Sequence, residues 1–342
     1  MGDVLIRALA VAGVTCVLSA CVLPGTPAAA DDGTRKLFTF RDPRITESSG
    51  LAVSPTRDGI YYTHNDSSAE PVFYAVGEDG RTRATYRLQG AQARDWEAMA
   101  ASKDPETGRG VLWFADIGDN LDGAWPDVSV YKVMEPTSLH DATLPAVRYR
   151  FRYEDGGRNA EGIMVHPRTG RLYVVSKEFS GSVYEAPARL RTSGTNKLRK
   201  IGSAPIMATD AAYAPDGSSY VIRTYFSATL YRPDGQAISK LSMPELKQAE
   251  SIAYTRDGKA LLTGSEGVDS PVYRVPLPGA EQRSPSPEPT LSPAADRADA
   301  QKSPDVAVAA ETGRLTGRDI LIWLAAAAGA IGVIVFLARR TR

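Results

Sequence analysis

The sequence predicts an all-β repeat protein, and three observations support this fold class. An acidic residue followed by small residues and an apolar run recurs five times in the body of the chain. A turn containing glycine follows each of these openings, and a second β-rich run follows each turn. The body also lacks apolar residues at helical spacing. Short strands separated by turns at this interval are typical of β-repeat architectures.

The repeats are long enough to hold about four strands each, which is typical of a β-propeller blade. We therefore expect five blades, with a sixth blade inside the long second repeat as the alternative. The last repeat has three strands before Pro278, and Lys36–Phe40 can supply the fourth and close the ring. The five openings begin at Glu47, Glu97, Glu161, Asp210 and Glu250, and the turns end at Gly59, Gly108, Gly170, Gly217 and Gly258.

The amino terminus reads as an export signal. Arg7 precedes an apolar run, and small residues at 28–30 provide a cleavage site, so we expect 1–30 to be a signal peptide and 31–278 to be the propeller. Alternatively, the Leu-Ser-Ala-Cys sequence that ends at Cys21 resembles a lipobox and predicts a lipidated Cys21.

The carboxyl terminus reads as a spacer followed by a membrane anchor. Residues 279–312 are rich in Pro, Ser and Ala and predict an extended stalk. Within the anchor, 313–342, Ile320–Ala338 are uncharged and would span roughly 28 Å as a helix. Arginines follow it, so we expect a cytoplasmic tail and a propeller outside the membrane. A sequence ending at Thr312 and Gly313 resembles a sortase signal, which makes wall attachment at Thr312 the alternative.

Composition excludes several classes of function. Lys and Arg number 40 and Asp and Glu number 40, so the chain has no basic excess and we expect no nucleic-acid partner. The two cysteines, Cys16 and Cys21, both lie in the leader, which excludes a disulfide framework or a cysteine nucleophile in the body.

The repeated acids predict a polar rim. In a blade, the start of the first strand and the end of the second lie at the same end of the hairpin. The second-strand ends, from 64–66 to 265–266, should therefore join the five acidic openings around one channel mouth. Carboxylates and amides suit Ca²⁺, so we expect Ca²⁺ on the five acids that open the repeats, Glu47, Glu97, Glu161, Asp210 and Glu250.

Basic and amide side chains near the same rim predict a ligand-binding surface. In four of the five repeats a basic residue stands three positions before the acid. These pairs indicate either a structural ring of salt bridges or a mixed-charge pocket that holds Ca²⁺ or an anionic ligand. We expect the partner of the rim to be a small molecule or an envelope protein. The expected ligand-binding residues are Arg44, Arg94, Arg158, Lys177, Arg223, Lys247, Asp119 and Asn120.

We therefore expect an exported, membrane-anchored binding module. A Ca²⁺-dependent hydrolase of a phosphate ester or lactone is one alternative, with His64 or Asp116 as the base. A purely structural envelope protein is the other alternative.

Four stretches of the body carry a family resemblance: 95–99 (Asp-Trp-Glu-Ala-Met), 115–120 (Ala-Asp-Ile-Gly-Asp-Asn), 159–162 (Asn-Ala-Glu-Gly) and 265–267 (Ser-Glu-Gly). They resemble an actinobacterial family of exported TolB-like β-propeller proteins, and the resemblance covers 36–278. It implies the propeller fold and export, and it assigns no activity.

Overall fold

The computed structural model describes residues 33–66, 70–121 and 123–279. These residues form 21 β-strands and no α-helix, which confirms the all-β prediction. They all belong to the first of two compact units of the chain, Met1–Ser286. The described ranges contain no helix that could span a bilayer. The predicted signal peptide, Cys21, the stalk beyond residue 279, Thr312 and the anchor 313–342 lie outside the described residues.

Strand bounds follow the repeats. The first two repeats and the strand that precedes them contain β1 (Arg35–Thr39), β2 (Ser48–Val53), β3 (Ile60–Asn65), β4 (Val72–Gly77), β5 (Thr82–Gln89), β6 (Trp96–Lys103), β7 (Gly110–Asp116), β8 (Val128–Met134), β9 (Ala142–Pro145) and β10 (Val147–Tyr153). The last three repeats contain β11 (Ala160–Val165), β12 (Leu172–Ser176), β13 (Ser182–Glu185), β14 (Thr195–Ser203), β15 (Ala208–Tyr213), β16 (Tyr220–Thr224), β17 (Ser227–Tyr231), β18 (Ala237–Ser242), β19 (Ser251–Tyr254), β20 (Ala260–Gly264) and β21 (Pro271–Pro276).

The strands form four sheets in the described part of the chain. Their orders are β1-β21-β20-β19, β2-β3-β4-β5-β9, β15-β16-β17-β18, and an eight-stranded β11-β12-β13-β14-β10-β8-β7-β6. The last sheet joins repeats 2 and 3 through a parallel pairing of β10 with β14. As predicted, the amino-terminal strand completes the last repeat, because β1 pairs antiparallel with β21.

The extra length of the second repeat is used by β9. This short strand leaves its own repeat and pairs in parallel with β5 of repeat 1, and the chain then returns as β10 to pair with β8. The added residues therefore extend the sheet of repeat 1 and complete that of repeat 2.

First strands from all five repeats surround one cavity. β2 contacts β6, β6 contacts β11, β11 contacts β15, β15 contacts β19, and β19 contacts β2, which closes a cycle. They line a cavity of about 360 Å³, with small side chains such as Ala52, Ala100 and Ala211 facing it. The turn glycines take the positive φ predicted for them, with values of 68° at Gly59 and 65° at Gly170.

Candidate functional site

The predicted rim forms where first and second strands meet. Ser48 lies opposite Asn65, Trp96 opposite Asp116, and Ala160 opposite Ser176. These pairings place the start of each first strand beside the end of its second strand. Polar residues from several repeats therefore collect at one end of the ring of first strands, which we call the mouth, and the cavity lies toward the other end.

A β-bulge determines which side chain each repeat sends to this mouth. In repeats 1 to 4 the register slips by one residue near the start of the first strand. A bulge leaves the extra residue unpaired and redirects its side chain. The bulged residues are Ser49, Glu97, Glu161 and Thr209, and in repeat 5 Glu250 stands just before the paired residue Ser251.

Two of the five predicted metal ligands, Glu47 and Asp210, are therefore not at the bulge position of their repeats. Glu47 lies two residues before the bulge of its repeat and is exposed. Asp210 lies one residue after the bulge and stands opposite Arg223 in the strand register. The bulge positions in these repeats carry hydroxyls instead, and each ties one repeat to the next. Ser49 Oγ donates to Glu97 O at 2.5 Å, and Thr209 Oγ1 donates to Ala249 O at 2.9 Å.

Asp210 connects repeats 4 and 5. Its carboxylate accepts hydrogen bonds from the backbone N–H groups of Ala211, at 2.7 Å, and Ile252, at 2.8 Å. Complete burial nevertheless raises the pKa of Asp210 well above its usual range. Both carboxylate oxygens are thus occupied by the backbone, which gives Asp210 a structural role.

Arg223 is buried beside Asp210. None of its three guanidinium nitrogens has a hydrogen-bond partner among the described residues. Burial lowers the pKa of Arg223 to about 10, against the opposing effect of the Glu250 and Asp210 carboxylates. Glu250 is also buried, and its Oε2 likewise has no partner in the described part of the chain.

Three carboxylates converge on one side of the mouth. Asp66, Asp95 and Glu97 each offer an oxygen, and these three oxygens lie within 4.8 Å of one another. Asn120 Nδ2 donates to Asp95 Oδ2 at 2.9 Å, which orients that carboxylate. Gly118 leaves space for these carboxylates, because a Cβ at that position would overlap Glu97 Oε1. We call Asp66, Asp95 and Glu97 the carboxylate triad.

Lys177 lies on the other side of the mouth. Its Nζ is 2.5 Å from Glu161 Oε1 and 5.0 Å from the centre of the Tyr225 ring. Burial raises the pKa of Glu250, and the neighbouring Lys177 and Tyr225 side chains oppose this rise. Although burial opposes it, the Glu161 carboxylate raises the pKa of Lys177 above its usual range.

The mouth carries more acidic than basic side chains. Burial, reinforced by the neighbouring Glu161, raises the pKa of Glu97 well above its usual range. Burial also raises the pKa of Glu161 to about 8 and that of Glu266 to about 7. The cations that face these acids are Lys177 and Arg223. The mouth acids are Asp66, Asp95, Glu97, Glu161, Glu250 and Glu266.

The predicted pairs of a base with the acid three residues later do not form among the described residues. Arg44 instead pairs with Asp42 at 2.7 Å. Arg94 pairs with Asp116 at 2.8 Å, and Arg158 pairs with Glu178 at 3.1 Å. Lys247 is exposed. Each of these bases lies in a turn, bend or loop that precedes the first strand, so a spacing of three residues does not determine which side chains meet.

The two candidate bases, His64 and Asp116, are fixed by packing and by hydrogen bonds within the protein. His64 is buried edge-on against Trp96, at 5.4 Å between ring centres, and its Nδ1 lies 3.0 Å from Asn65 O. Burial lowers the pKa of His64. Asp116 accepts hydrogen bonds from the backbone N–H groups of Arg94 and Asp95, each at 2.9 Å, and from the Arg94 side chain.

Two further predicted ligand-binding residues lie in the loop after β7. Asp119 is buried, and its Oδ2 accepts the backbone N–H of Trp125 at 2.6 Å. Asn120 is exposed and accepts a hydrogen bond from Asn159 Nδ2 at 2.7 Å. Asp95 is the triad residue that the predicted rim omits. Its signal in the sequence is its position just before Trp96, where β6 begins.

Comparison with known proteins assigns no family to the chain. No protein-family model and no curated protein matches the chain. A solved structure of U3-55K is 10% identical and covers 71% of this chain and 98% of that chain, with a TM-score of 0.39.

Proposed function

We propose that the protein is a five-bladed β-propeller that acts outside the membrane as a binding module, with a cation site at its acidic mouth. The cyclic contacts of the five first strands around one cavity support the blade count. In this interpretation the eight-stranded sheet is two blades joined at their outer strands. The export signal and anchor predicted at the two ends support the location.

The observation that carries the cation site is the carboxylate triad. Three acidic oxygens within 4.8 Å of one another repel unless protons or a cation intervene. Ca²⁺ takes six to eight oxygen ligands at about 2.3–2.6 Å and completes its shell with water. The triad supplies carboxylates from two adjacent repeats, and Asn120 lies beside Asp95. Ca²⁺ is therefore the metal that we propose for Asp66, Asp95 and Glu97.

A binding role fits the contacts better than hydrolysis. His64 is enclosed by aromatic rings, and the Asp116 carboxylate is occupied by Arg94 and the backbone. Neither side chain is placed to take a proton from a bound water.

The test is a thermal melt of the full chain in detergent after removal of metal, with and without millimolar Ca²⁺. A ligand at about a hundred times its Kd adds about 2.7 kcal/mol to the free energy of unfolding. For a protein of this size, the midpoint should rise by on the order of 5–10 °C. Glu97→Gln should abolish the rise. Glu106→Gln, an exposed acid in the turn between β6 and β7, is the matched control and should retain it.

No Ca²⁺-dependent rise in the wild-type protein would reject the cation site. An equal rise in Glu97→Gln and in the wild-type protein would place Ca²⁺ elsewhere and reject the triad.

A further inference from the structure

Apolar side chains surround the acidic mouth and point into solvent. Leu121, Phe179, Phe226 and Val268 each lie in the loop that follows the second strand of a repeat, and Ile206 lies just before β15. Their exposed fractions range from 54% to 89%. We call these five residues the apolar crown.

Among the described residues, the crown holds the most exposed of the large apolar side chains. The other three, Val147, Ile201 and Ile238, lie on the strands β10, β14 and β18 and are less exposed. Loop tips can carry polar residues without affecting a core. Large apolar residues clustered there, next to a polar site, are typical of an interaction surface.

Crown and mouth are continuous along the chain. Phe226 follows Tyr225, whose ring lies against Lys177, and the two aromatic rings are 6.4 Å apart. Phe179 comes two residues after Lys177. A molecule that contacts the crown will therefore also cover the acids of the mouth.

The acids of the mouth select what can cover it, because an inserted cation allows these buried carboxyl groups to ionise. Glu250 is buried with one carboxylate oxygen that has no partner among the described residues. The acids at this mouth outnumber the two cations that face them. A surface that buries this mouth therefore needs a positive charge at its centre, and it needs apolar groups around that charge to match the crown.

We propose that this face docks a protein partner that inserts a Lys or Arg side chain into the acidic mouth and packs apolar residues on the crown. An anionic bilayer has apolar content but offers no cation to the acids. A small ligand would fill the mouth without reaching the loop tips. The inference rests on the binding role proposed above but not on Ca²⁺.

The test measures binding of short peptides to the full chain in phosphatidylcholine nanodiscs, by fluorescence anisotropy, in EDTA. Each peptide carries a central lysine flanked by Phe, Leu or Tyr, and each is paired with a peptide that has norleucine in place of lysine. We expect the best lysine peptide to bind at least about tenfold more tightly than its norleucine partner.

Two variants distinguish binding at the crown from non-specific binding to exposed apolar residues. The double variant Phe179→Ser, Phe226→Ser should weaken binding by about tenfold or more, because aromatic anchors carry much of the energy of such interfaces. The matched control is Ile201→Ser, Ile238→Ser, which removes exposed apolar residues from the outer strands and should leave binding unchanged. Circular dichroism checks that both variants fold.

Three outcomes would overturn the proposal. The first is that no lysine peptide of the set binds more tightly than its partner. The second is an equal loss of binding in the crown variant and in the control. The third is self-association of the chain that Phe179→Ser, Phe226→Ser abolishes, because a second copy would then be the occupant. Because the peptides are tested in EDTA, their binding does not depend on Ca²⁺. The result can therefore be interpreted even if Ca²⁺ does not raise the melting midpoint.

Discussion

Lys177 Nζ lies 2.5 Å from Glu161 Oε1, and this ion pair is enclosed by other carboxylates. Both side chains are largely buried. Removing one partner of such a pair leaves the other as an unpaired buried charge, whereas removing both leaves none. The pair is therefore expected to be strongly coupled, unlike the exposed ion pairs of the outer strands.

A double-mutant cycle tests this coupling. At about pH 8, Lys177→Met should lower the free energy of unfolding by about 3–5 kcal/mol, since Glu161 loses its counter-charge. Adding Glu161→Gln should restore part of that loss, with a coupling energy of about 1–3 kcal/mol. Urea denaturation measures each variant. Lys132→Met, which breaks the more exposed pair with Asp104, is the control and should cost only about 0–1 kcal/mol. Additive effects at Lys177 and Glu161 would contradict the coupling.

The acids of the mouth make stability depend on pH. Burial raises the pKa of Glu161 from 4.5 to about 8 and that of Glu266 to about 7. A group whose pKa is higher in the folded protein stabilises it fully below the unfolded pKa, and this contribution is lost as the pH rises through the folded pKa. Without metal, the melting midpoint should therefore fall by several degrees between about pH 4.5 and pH 8.

Substitution shows whether these groups cause the dependence. Glu161→Gln should flatten the profile more than Glu266→Gln, because Glu266 is less buried and its contribution is screened by solvent. A profile that rises over the same range, or one that Glu161→Gln leaves unchanged, would contradict this assignment.

Gly118 should control the carboxylate triad. A Cβ at this position would overlap Glu97 Oε1 and lie 2.6 Å from Asp95 Oδ2. The carboxylates can swing away, so Gly118→Ala should change stability by less than about 1 kcal/mol while moving the ligand oxygens. The Ca²⁺-dependent rise in the melting midpoint should then require at least about tenfold more Ca²⁺.

A matched glycine provides the control for that substitution. A Cβ at Gly202 in β14 would meet nothing within 4 Å, so Gly202→Ala should leave the Ca²⁺ response unchanged. If Gly118→Ala responds to Ca²⁺ as the wild-type protein does, the triad does not hold the metal.

Gly50 and His64 should compensate for each other. A Cβ on Gly50 would overlap His64 Nε2, so Gly50→Ala should cost about 1–3 kcal/mol by overpacking. His64→Ala should cost about 2–4 kcal/mol, because it leaves a cavity beside Trp96. In the double variant the new methyl occupies vacated space, so its cost in urea denaturation should be below the sum. A cost equal to the sum would place His64 away from Gly50.

The parts of the fold that depend on neighbours in sequence could be predicted. The turn at Gly59 and the strand Ile60–Asn65 follow from local turn chemistry and β-branched or aromatic content. The pairing of the amino-terminal strand with β21 follows from a last repeat that is one strand short.

The exact membership of the site could not be predicted in the same way. A bulge is a property of two paired strands, so spacing alone did not show that Ser49 and Thr209, and not Glu47 and Asp210, are equivalent to Glu97. Ion-pair partners also depend on which strands are neighbours. The pair of Arg94 with Asp116 joins residues 22 apart that strand pairing brings together.

The parallel joint between β10 and β14 breaks the symmetry of the repeats. It makes the second and third repeats one continuous hydrogen-bonded plate, and a plate of this kind should open as one cooperative unit. Glu97 and Glu161 stand at the two inner margins of that plate, on β6 and β11. The half of the mouth that they form is therefore built on one sheet, and we expect its side chains to move together. The other half is built on β15 and β19, which belong to separate sheets, so its two sides can open independently.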